Sequence, residues 1–416
     1  MELLEIYFKK NNKNMNLLYK TSDISEITVR NLSKKPLNKW TSKQIETIAK
    51  LVCKDKKRVI DELKKISKTI NINNIKNNIG KFNLENRRYI GNKNRLIKWI
   101  KNLIEEYTVG ESFFDVFAGT GIITKELLEN YDILILNDFL FSNNIIYHAF
   151  FGTEKYDSDL LFKIKEEFQS IESNKFDDDY FVKNYGGKFF SNRDAMIIGE
   201  IRQLIENNKK INRREYAILI ASLIYSADKI ANTVGHYDAY RKKVHISDKF
   251  LFELINPLKT ESKNIKIYRK DANFLVRKIQ ADVAFIDPPY NSRQYSRFYH
   301  VLEGITKWDK PKLEGVAMKP PIENMSEYSK KSASTVFNDL ISNIKSKYIV
   351  VTYNNTYTSK SSSSRNKITH EEIKYYLSKL GNTKIFEMPF QYFNTGKTDL
   401  KNHKEFVFIT EVKNNC

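Results

Sequence analysis

The amino-acid sequence predicts an α/β protein: a mostly parallel open sheet with a C-terminal antiparallel hairpin, an inserted mainly helical region and a small helical N-terminal domain. Two observations carry this reading. From residue 88 to 151, short apolar runs alternate with helical periodicity; the rhythm stops at 152 and resumes near 266. Two β-rich runs near the end, 384–390 and 405–411, then close the sheet as an antiparallel pair.

Taken in order, residues 1–70 are expected to be helical, with N-cap residues and helical spacing over 22–31, a second helix over 42–53 and a third over 56–66. Residues 71–87, rich in Asn, Lys and Ile around Gly80, read as a linker. Leu96, Ile97, Trp99, Ile100 and Leu103 mark an amphipathic helix. A strand at 113–117, a helix at 122–130 and a strand at 133–136 then form a parallel βαβ unit. Residues 152–265 are polar, charged and aromatic helical segments, including 212–230. Strands return at 265–268, 283–286 and 348–352. Residues 359–365, with four consecutive serines, read as a mobile loop.

The chain carries 70 Lys+Arg against 50 Asp+Glu, a formal charge of +20. That balance favours a polyanionic partner, because phosphate neutralisation drives non-specific nucleic-acid binding. A solvated lysine-rich surface is the plainer alternative. Cys53 and Cys416 exclude a disulfide framework and fit a reducing compartment, and the six histidines form no ligand cluster with them, so no metal site is expected. The longest apolar stretch, 216–225, is too short for a bilayer and no signal-peptide pattern opens the chain, so a cytoplasmic protein is expected.

The chemistry concentrates in Asp287-Pro288-Pro289-Tyr290, directly behind the apolar run 283–286. The prolines end the strand and leave an acid and an aromatic ring at its C-terminal edge, where ligands bind in open α/β sheets. A flat base with an exocyclic amine requires that pairing. The Asp287 carboxylate and Pro288 carbonyl would accept the amine's hydrogens while Tyr290 stacks on the ring. A capped Pro-Pro turn is the bland reading. Ala118-Gly119-Thr120-Gly121 follows the first strand and opens a helix, so its glycines allow close backbone approach to a ligand. It lacks the further glycine of a dinucleotide fingerprint and the Lys-Ser/Thr pair of a P-loop. Asp138, ending the second strand, suits ribose hydroxyls, or is a turn residue. Together these describe a nucleoside cofactor with no phosphate on the glycine turn, S-adenosyl-L-methionine being the natural candidate.

The ordering of motifs resembles a known family. Tyr89-Ile90-Gly91-Asn92-Lys93, Phe117-Ala118-Gly119-Thr120-Gly121, then Asp287 to Tyr290 are joined by Asn291-Ser292-Arg293-Gln294-Tyr295 with Tyr299-His300, and by Val351-Thr352-Tyr353-Asn354-Asn355. Ala231-Asn232-Thr233-Val234-Gly235 with Tyr237 and Ala239-Tyr240 lies in the insertion. From 88 to 411 this is similar to the Dam-like alpha-class adenine-specific DNA methyltransferases, in the restriction–modification branch of FokI-type modification methylases.

That resemblance implies a Rossmann-like methyltransferase core at 88–151 and 266–416 and a target-recognition insertion at 152–265. It implies that Tyr89 and Lys93 flank the methionine end of the cofactor, and that Asp115, Phe117, Ala118, Gly119 and Gly121 line its carboxylate and amino groups. Asp138, favoured over Asn137, would hold the ribose, and Asp271 with Ala272 the adenine. Asp287, Pro288, Pro289 and Tyr290 would be catalytic. Arg241, Lys242, Lys243, Arg293, Tyr295 and Asn354 would contact double-stranded DNA. The implied reaction is N6 methylation of an adenine flipped out of the duplex, by in-line transfer, with a cognate endonuclease encoded separately. Cytosine N4 methylation is the nearest alternative. A non-catalytic DNA-binding regulator is the other, because 24–31 followed by 41–51 resembles a Cro/repressor-type helix-turn-helix with Thr28, Arg30 and Asn31 facing DNA. A small bundle packing on the core would explain the same pattern.

Overall fold

The structure is a computed structural model, and it describes residues 3–11, 13, 40–77, 79–91, 93, 95–172, 179–289, 292–355, 366–389 and 403–413. It divides into two compact units, Met1–Ile79 and Gly80–Cys416.

The first unit holds α1 (Leu3–Lys10), α2 (Ser42–Leu51) and α3 (Lys56–Asn77). Thr41 starts α2 through a capping box: its hydroxyl accepts from the Gln44 amide while the Gln44 side-chain oxygen accepts from the Thr41 amide at 2.8 Å. Tyr7, Phe8, Ile48, Val59 and Leu63 form a core of their own. Residues 71–77, read from sequence as linker, continue α3; no glycine or proline interrupts the chain before Gly80. The expected helix over 22–31, first half of the helix-turn-helix, lies outside the described residues, as does the serine-rich loop.

The second unit opens with α4 (Ile97–Tyr107), β1 (Ser112–Asp115), α5 (Ile122–Glu126), β2 (Ile133–Asn137) and α6 (Phe141–Phe151). Then come α7 (Ser158–Gln169), α8 (Tyr180–Tyr185), α9 (Asn192–Asn207) and α10 (Arg213–Ile230). Alternation resumes with β3 (Asn264–Tyr268), α11 (Ala272–Val276) and β4 (Gln280–Ile286), followed by α12 (Tyr295–Phe298) and α13 (His300–Lys307). The remaining elements are α14 (Ala333–Asn343), β5 (Lys345–Asn354), α15 (His370–Ser378), β6 (Gly381–Pro389) and β7 (Lys404–Val412).

The strands make one sheet of order β3-β2-β1-β4-β5-β7-β6. The first five are parallel, and β7 runs antiparallel to both β5 and β6. Strand side chains alternate between faces. Phe114, Ile135, Ala284, Ile286, Val351 and Phe408 pack with α14 and α15. Phe113, Leu134, Phe285, Val350 and Val407 pack with α4 and α5. Burial on both faces is why the inner strands β1, β2 and β4 carry unbroken apolar runs. From β1 the chain winds outward one way to β3, then crosses back to β4 and winds the other way. The crevice at that reversal, at the strands' carboxyl ends, is where such a sheet receives a ligand.

In the insertion, α10 lies along α6 and is buried on nearly every side from Ala217 to Asp228. Phe150 of α6 meets Tyr225 of α10 at 5.6 Å between rings, and the Leu258 amide bonds the Phe150 carbonyl at 2.8 Å. The insertion therefore shares packing with the sheet's outer helices. Among the described residues, no helix is long and apolar enough to cross a membrane, and no three His, Cys, Asp or Glu gather as metal ligands.

Candidate active site

The glycine turn forms because β1 runs out beside β2 and β4. The Val116 amide bonds Phe285 O at 3.0 Å and the Ala118 amide bonds Asn137 O at 2.9 Å, after which Gly119 and Gly121 take positive φ of 53° and 75°. A Cβ at Gly121 would also meet the rings of Phe151 at 3.1 Å and Tyr147 at 3.3 Å. Only glycine fits there. Asp138 closes the turn: its carboxylate accepts from the Gly119 amide at 3.1 Å and the Leu140 amide at 2.9 Å, and it lines the cleft. Its neighbour Asn137 is consumed structurally. The Asn137 amide donates to Val116 O and Lys270 O at 3.1 Å each, and its oxygen accepts from the Lys270 amide at 3.0 Å.

Asp115 sits beneath this turn, 1% exposed. The Thr124 hydroxyl donates to its Oδ2 at 2.8 Å, while Oδ1 is buried with no partner. Burial pushes its carboxyl up to about 8; the Thr124 bond opposes this, and the charges of Asp287 and Asp138 add to it. Burial likewise raises Asp138, against the amides that hold it. An orphaned buried oxygen in a ligand cleft calls for a donor.

Across the cleft, sheet periodicity places Asp287 beyond Phe285, Thr352 beyond Val350 and Glu405 before Val407, all on the face that packs on α4. Lys93, in the segment just before α4, reaches that face. Its Nζ lies 3.1 Å from Asp287 Oδ1 and 2.8 Å from Glu405 Oε1, and the Thr352 hydroxyl donates to Asp287 Oδ1 at 2.8 Å. Burial alone would lower the Lys93 ammonium. The two facing carboxylates win, and it lies above the ordinary lysine value. Lys93, expected at the methionine end of a cofactor, lines the cleft with its ammonium seated against the Asp287 carboxylate. Pro288 and Pro289 line the cleft, and Tyr290 lies outside the described residues.

The remaining wall is aromatic. Tyr89 stacks on Tyr299 at 4.9 Å and on Tyr295 at 5.3 Å, those two rings lie 6.3 Å from each other, and the Arg87 guanidinium lies 5.0 Å from the Tyr89 ring. The Ile90 amide donates to the Tyr299 hydroxyl at 2.8 Å, so the segment from Tyr89 to Gly91 is clamped to α12 and α13. Phe117 meets Tyr328 edge to face at 5.0 Å. Asp271 caps α11 through the Phe274 amide at 2.9 Å and is exposed on the cleft beside Ala272. The cleft encloses about 1090 Å³ of empty space including its mouth, and the Gly119 turn and Asp287 both open into it.

The DNA-contact candidates separate. Arg241, Lys242 and Lys243 are exposed, immediately after a bridge between Thr233 and Tyr240. Arg293 is half-buried with its guanidinium 5.9 Å from the Phe298 ring, and Tyr295 belongs to the cleft wall. Asn354 is 5% exposed at the end of β5, opposite Glu405, and so is not at the surface. Sequence reasoning missed Glu405. Its one local signal is an acid opening an otherwise apolar strand run.

A 3-2-1-4-5-7-6 sheet with its cleft at the β1/β4 reversal, and an Asp-Pro-Pro loop facing a glycine turn, define the architecture of an α/β methyltransferase. Residues 89–361 match the D12 class N6 adenine-specific DNA methyltransferase family, and the chain belongs to that family. It is 34% identical over 290 residues to modification methylase LlaI of Lactococcus lactis subsp. lactis, covering 64% of this chain and 46% of that protein. Against type II methyltransferase M.FokI of Planomicrobium okeanokoites it is 31% identical over 350 residues, covering 78% and 52%. Type II methyltransferase M.NlaIII of Neisseria lactamica is 27% identical over 349 residues, covering 78% and 98%. The chain thus spans about half the length of the first two and nearly all of the third.

Proposed function

We propose that this chain is a site-specific DNA adenine N6-methyltransferase that uses S-adenosyl-L-methionine and serves as the modification enzyme of a restriction–modification system. The observation that carries it is the convergence in one cleft of the Gly119 turn, the unpartnered Asp115 oxygen and the Asp287 carboxylate. Membership in an adenine-specific family favours N6 of adenine over N4 of cytosine.

The residues fit the cofactor. Asp115 Oδ1 offers a buried acceptor for its ammonium, Asp138 keeps acceptor capacity toward ribose hydroxyls, and Asp271 is exposed on the cleft for the adenine amine. S-adenosyl-L-methionine supplies an electrophilic methyl on a sulfonium, which needs no acid to activate it. The protein's work is therefore to orient and to stabilise charge. As the N–CH3 bond forms and the S–CH3 bond breaks, Asp287 accepts a hydrogen bond from the target amine and stabilises the positive charge growing there until the nitrogen sheds its proton to solvent. Thr352 and Lys93 hold Asp287 Oδ1. The Pro288 carbonyl would take the second hydrogen, and Tyr290 would stack on the flipped base, worth ~1–3 kcal/mol.

The test is incubation with labelled S-adenosyl-L-methionine and duplex DNA of varied sequence, then nucleoside analysis. N6-methyladenine is expected; N4-methylcytosine would favour the cytosine reading, and no product on any DNA would overturn both. We place the protein in the cytoplasm, with a separately encoded endonuclease as its counterpart. Arg241, Lys242 and Lys243 would bind phosphates. Changing all three to alanine should weaken binding evenly across sequences and flatten the log–log salt dependence by about 2–3. An unchanged slope would remove that segment from the interface.

A further inference from the structure

We infer that Glu405 is a positioning residue for methyl transfer: by sharing the Lys93 ammonium, it leaves Asp287 fixed in place yet still negative toward the target amine. This rests on the methyltransferase reading. Three observations support it. Glu405 and Lys93 are both buried, at 3% and 6% side-chain exposure, and their 2.8 Å contact is shorter than the 3.1 Å contact of Lys93 with Asp287. The contacts that Lys93 and Thr352 make with Asp287 both fall on Oδ1, so these two groups hold that oxygen from behind. The β5–β7 register brings Glu405 opposite Asn354 and onto the face that carries Thr352 and Asp287, so the placement follows from strand pairing.

The charge count gives the arrangement its use. Lys93 paired with Asp287 alone would make a neutral couple, with the carboxylate's field largely spent on the ammonium. With Glu405 present, two carboxylates share one cation, and the group keeps a net negative charge beside the amine that becomes positive as it reacts. Stability is a poor explanation for such a cluster, since burying the Lys93 and Glu405 charges costs desolvation that apolar side chains would avoid.

The experiment measures single-turnover methyl transfer on a DNA that the wild-type protein methylates, together with cofactor and DNA dissociation constants and the fluorescence of 2-aminopurine placed at the target. Glu405→Gln is expected to slow transfer about 10²-fold, with both dissociation constants within threefold and the flipped-base fluorescence retained. Glu405→Asp should recover at least tenfold of the loss. If the action passes through Lys93, adding Glu405→Gln to Lys93→Met should cost little beyond Lys93→Met alone. Should Glu405→Gln fail to fold, the smaller drop in Glu405→Asp at unchanged binding gives the same answer. A wild-type rate in Glu405→Gln, parallel losses of binding and rate, or additivity with Lys93→Met would each overturn the inference. Absence of transfer by the wild-type protein on any DNA would instead sink the functional reading itself.

Discussion

Asp287→Ala is expected to lower single-turnover methyl transfer about 10³-fold or more, while cofactor affinity holds or tightens slightly. The loss has two physical sources. The target amine loses an acceptor for its hydrogen, and the cleft loses the charge that complements the cation growing on nitrogen. Lys93 stays paired with Glu405 at 2.8 Å, so the variant does not strand a buried ammonium, and folding should survive. The expected cofactor result follows from a neighbour. The Asp287 charge is one cause of the raised Asp115 carboxyl, so removing it makes Asp115 easier to ionise and readier to take an ammonium. Asp287→Asn separates the two sources, because it keeps a carbonyl acceptor and drops the charge. An intermediate rate is expected. Calorimetric titration with S-adenosyl-L-methionine and rapid-quench methylation check both. A fast Asp287→Ala protein would exclude this carboxylate from the chemistry, and a matching loss of cofactor affinity would mean the pocket had collapsed.

How far the sequence foretells this site depends on whether a feature is local. The apolar run 283–286 reads as a strand because neighbours on both sides and helices on both faces bury it, and the prolines mark its end at the residue where β4 stops. The glycine turn is legible because positive φ at Gly119 and Gly121 is a local demand. The insertion is legible as helical segments, and α10 fills the helix expected over 212–230. Other features are not local. Asn137 and Asp138 are adjacent and chemically similar, and only the cross-strand bonds to Val116 and Lys270 show which one is used up holding the sheet. Lys93 and Glu405 lie at opposite ends of the second unit, so no spacing rule could join them; the meeting is made by β7 entering between β5 and β6. Asn354 was expected to contact DNA and lies two residues past the expected strand 348–352, yet β5 extends through it and the β7 pairing buries it. Helix ends suffered similarly: α5 stops at Glu126, where Leu127 and Leu128 turn into the core although their apolar spacing would have continued the helix.

Asp115→Asn is expected to stabilise the ligand-free protein and to impair cofactor binding, a trade with a defined pH signature. The wild-type carboxyl is pushed up to about 8, chiefly by burial, whereas an exposed aspartate titrates near 4. Between those values the folded state holds a proton that the unfolded state has lost. The unfolded chain binds fewer protons there, so the stability of the wild type falls as pH rises through that window and levels off above about 8. Below about pH 4 both states are protonated and Asp115 contributes no pH dependence. An amide carries no such charge. The variant should therefore match the wild type near pH 4 and exceed it increasingly up to pH 8, by on the order of a few kcal/mol. Denaturant titrations across pH 4–9 would measure the divergence, and parallel curves would show that Asp115 ionises freely. Cofactor binding moves the opposite way. The amide carbonyl can keep the Thr124 hydrogen bond, but that turns its NH₂ toward the place of the orphaned Oδ1, where an ammonium needs an acceptor. Affinity should drop roughly 10- to 100-fold. Wild-type affinity should also rise from pH 5.5 to 7.5, because binding an ammonium requires Asp115 to release its proton, whereas the variant's affinity should stay flat. A wild-type dissociation constant independent of pH over that range would mean that the buried carboxyl is not the group that meets the cofactor.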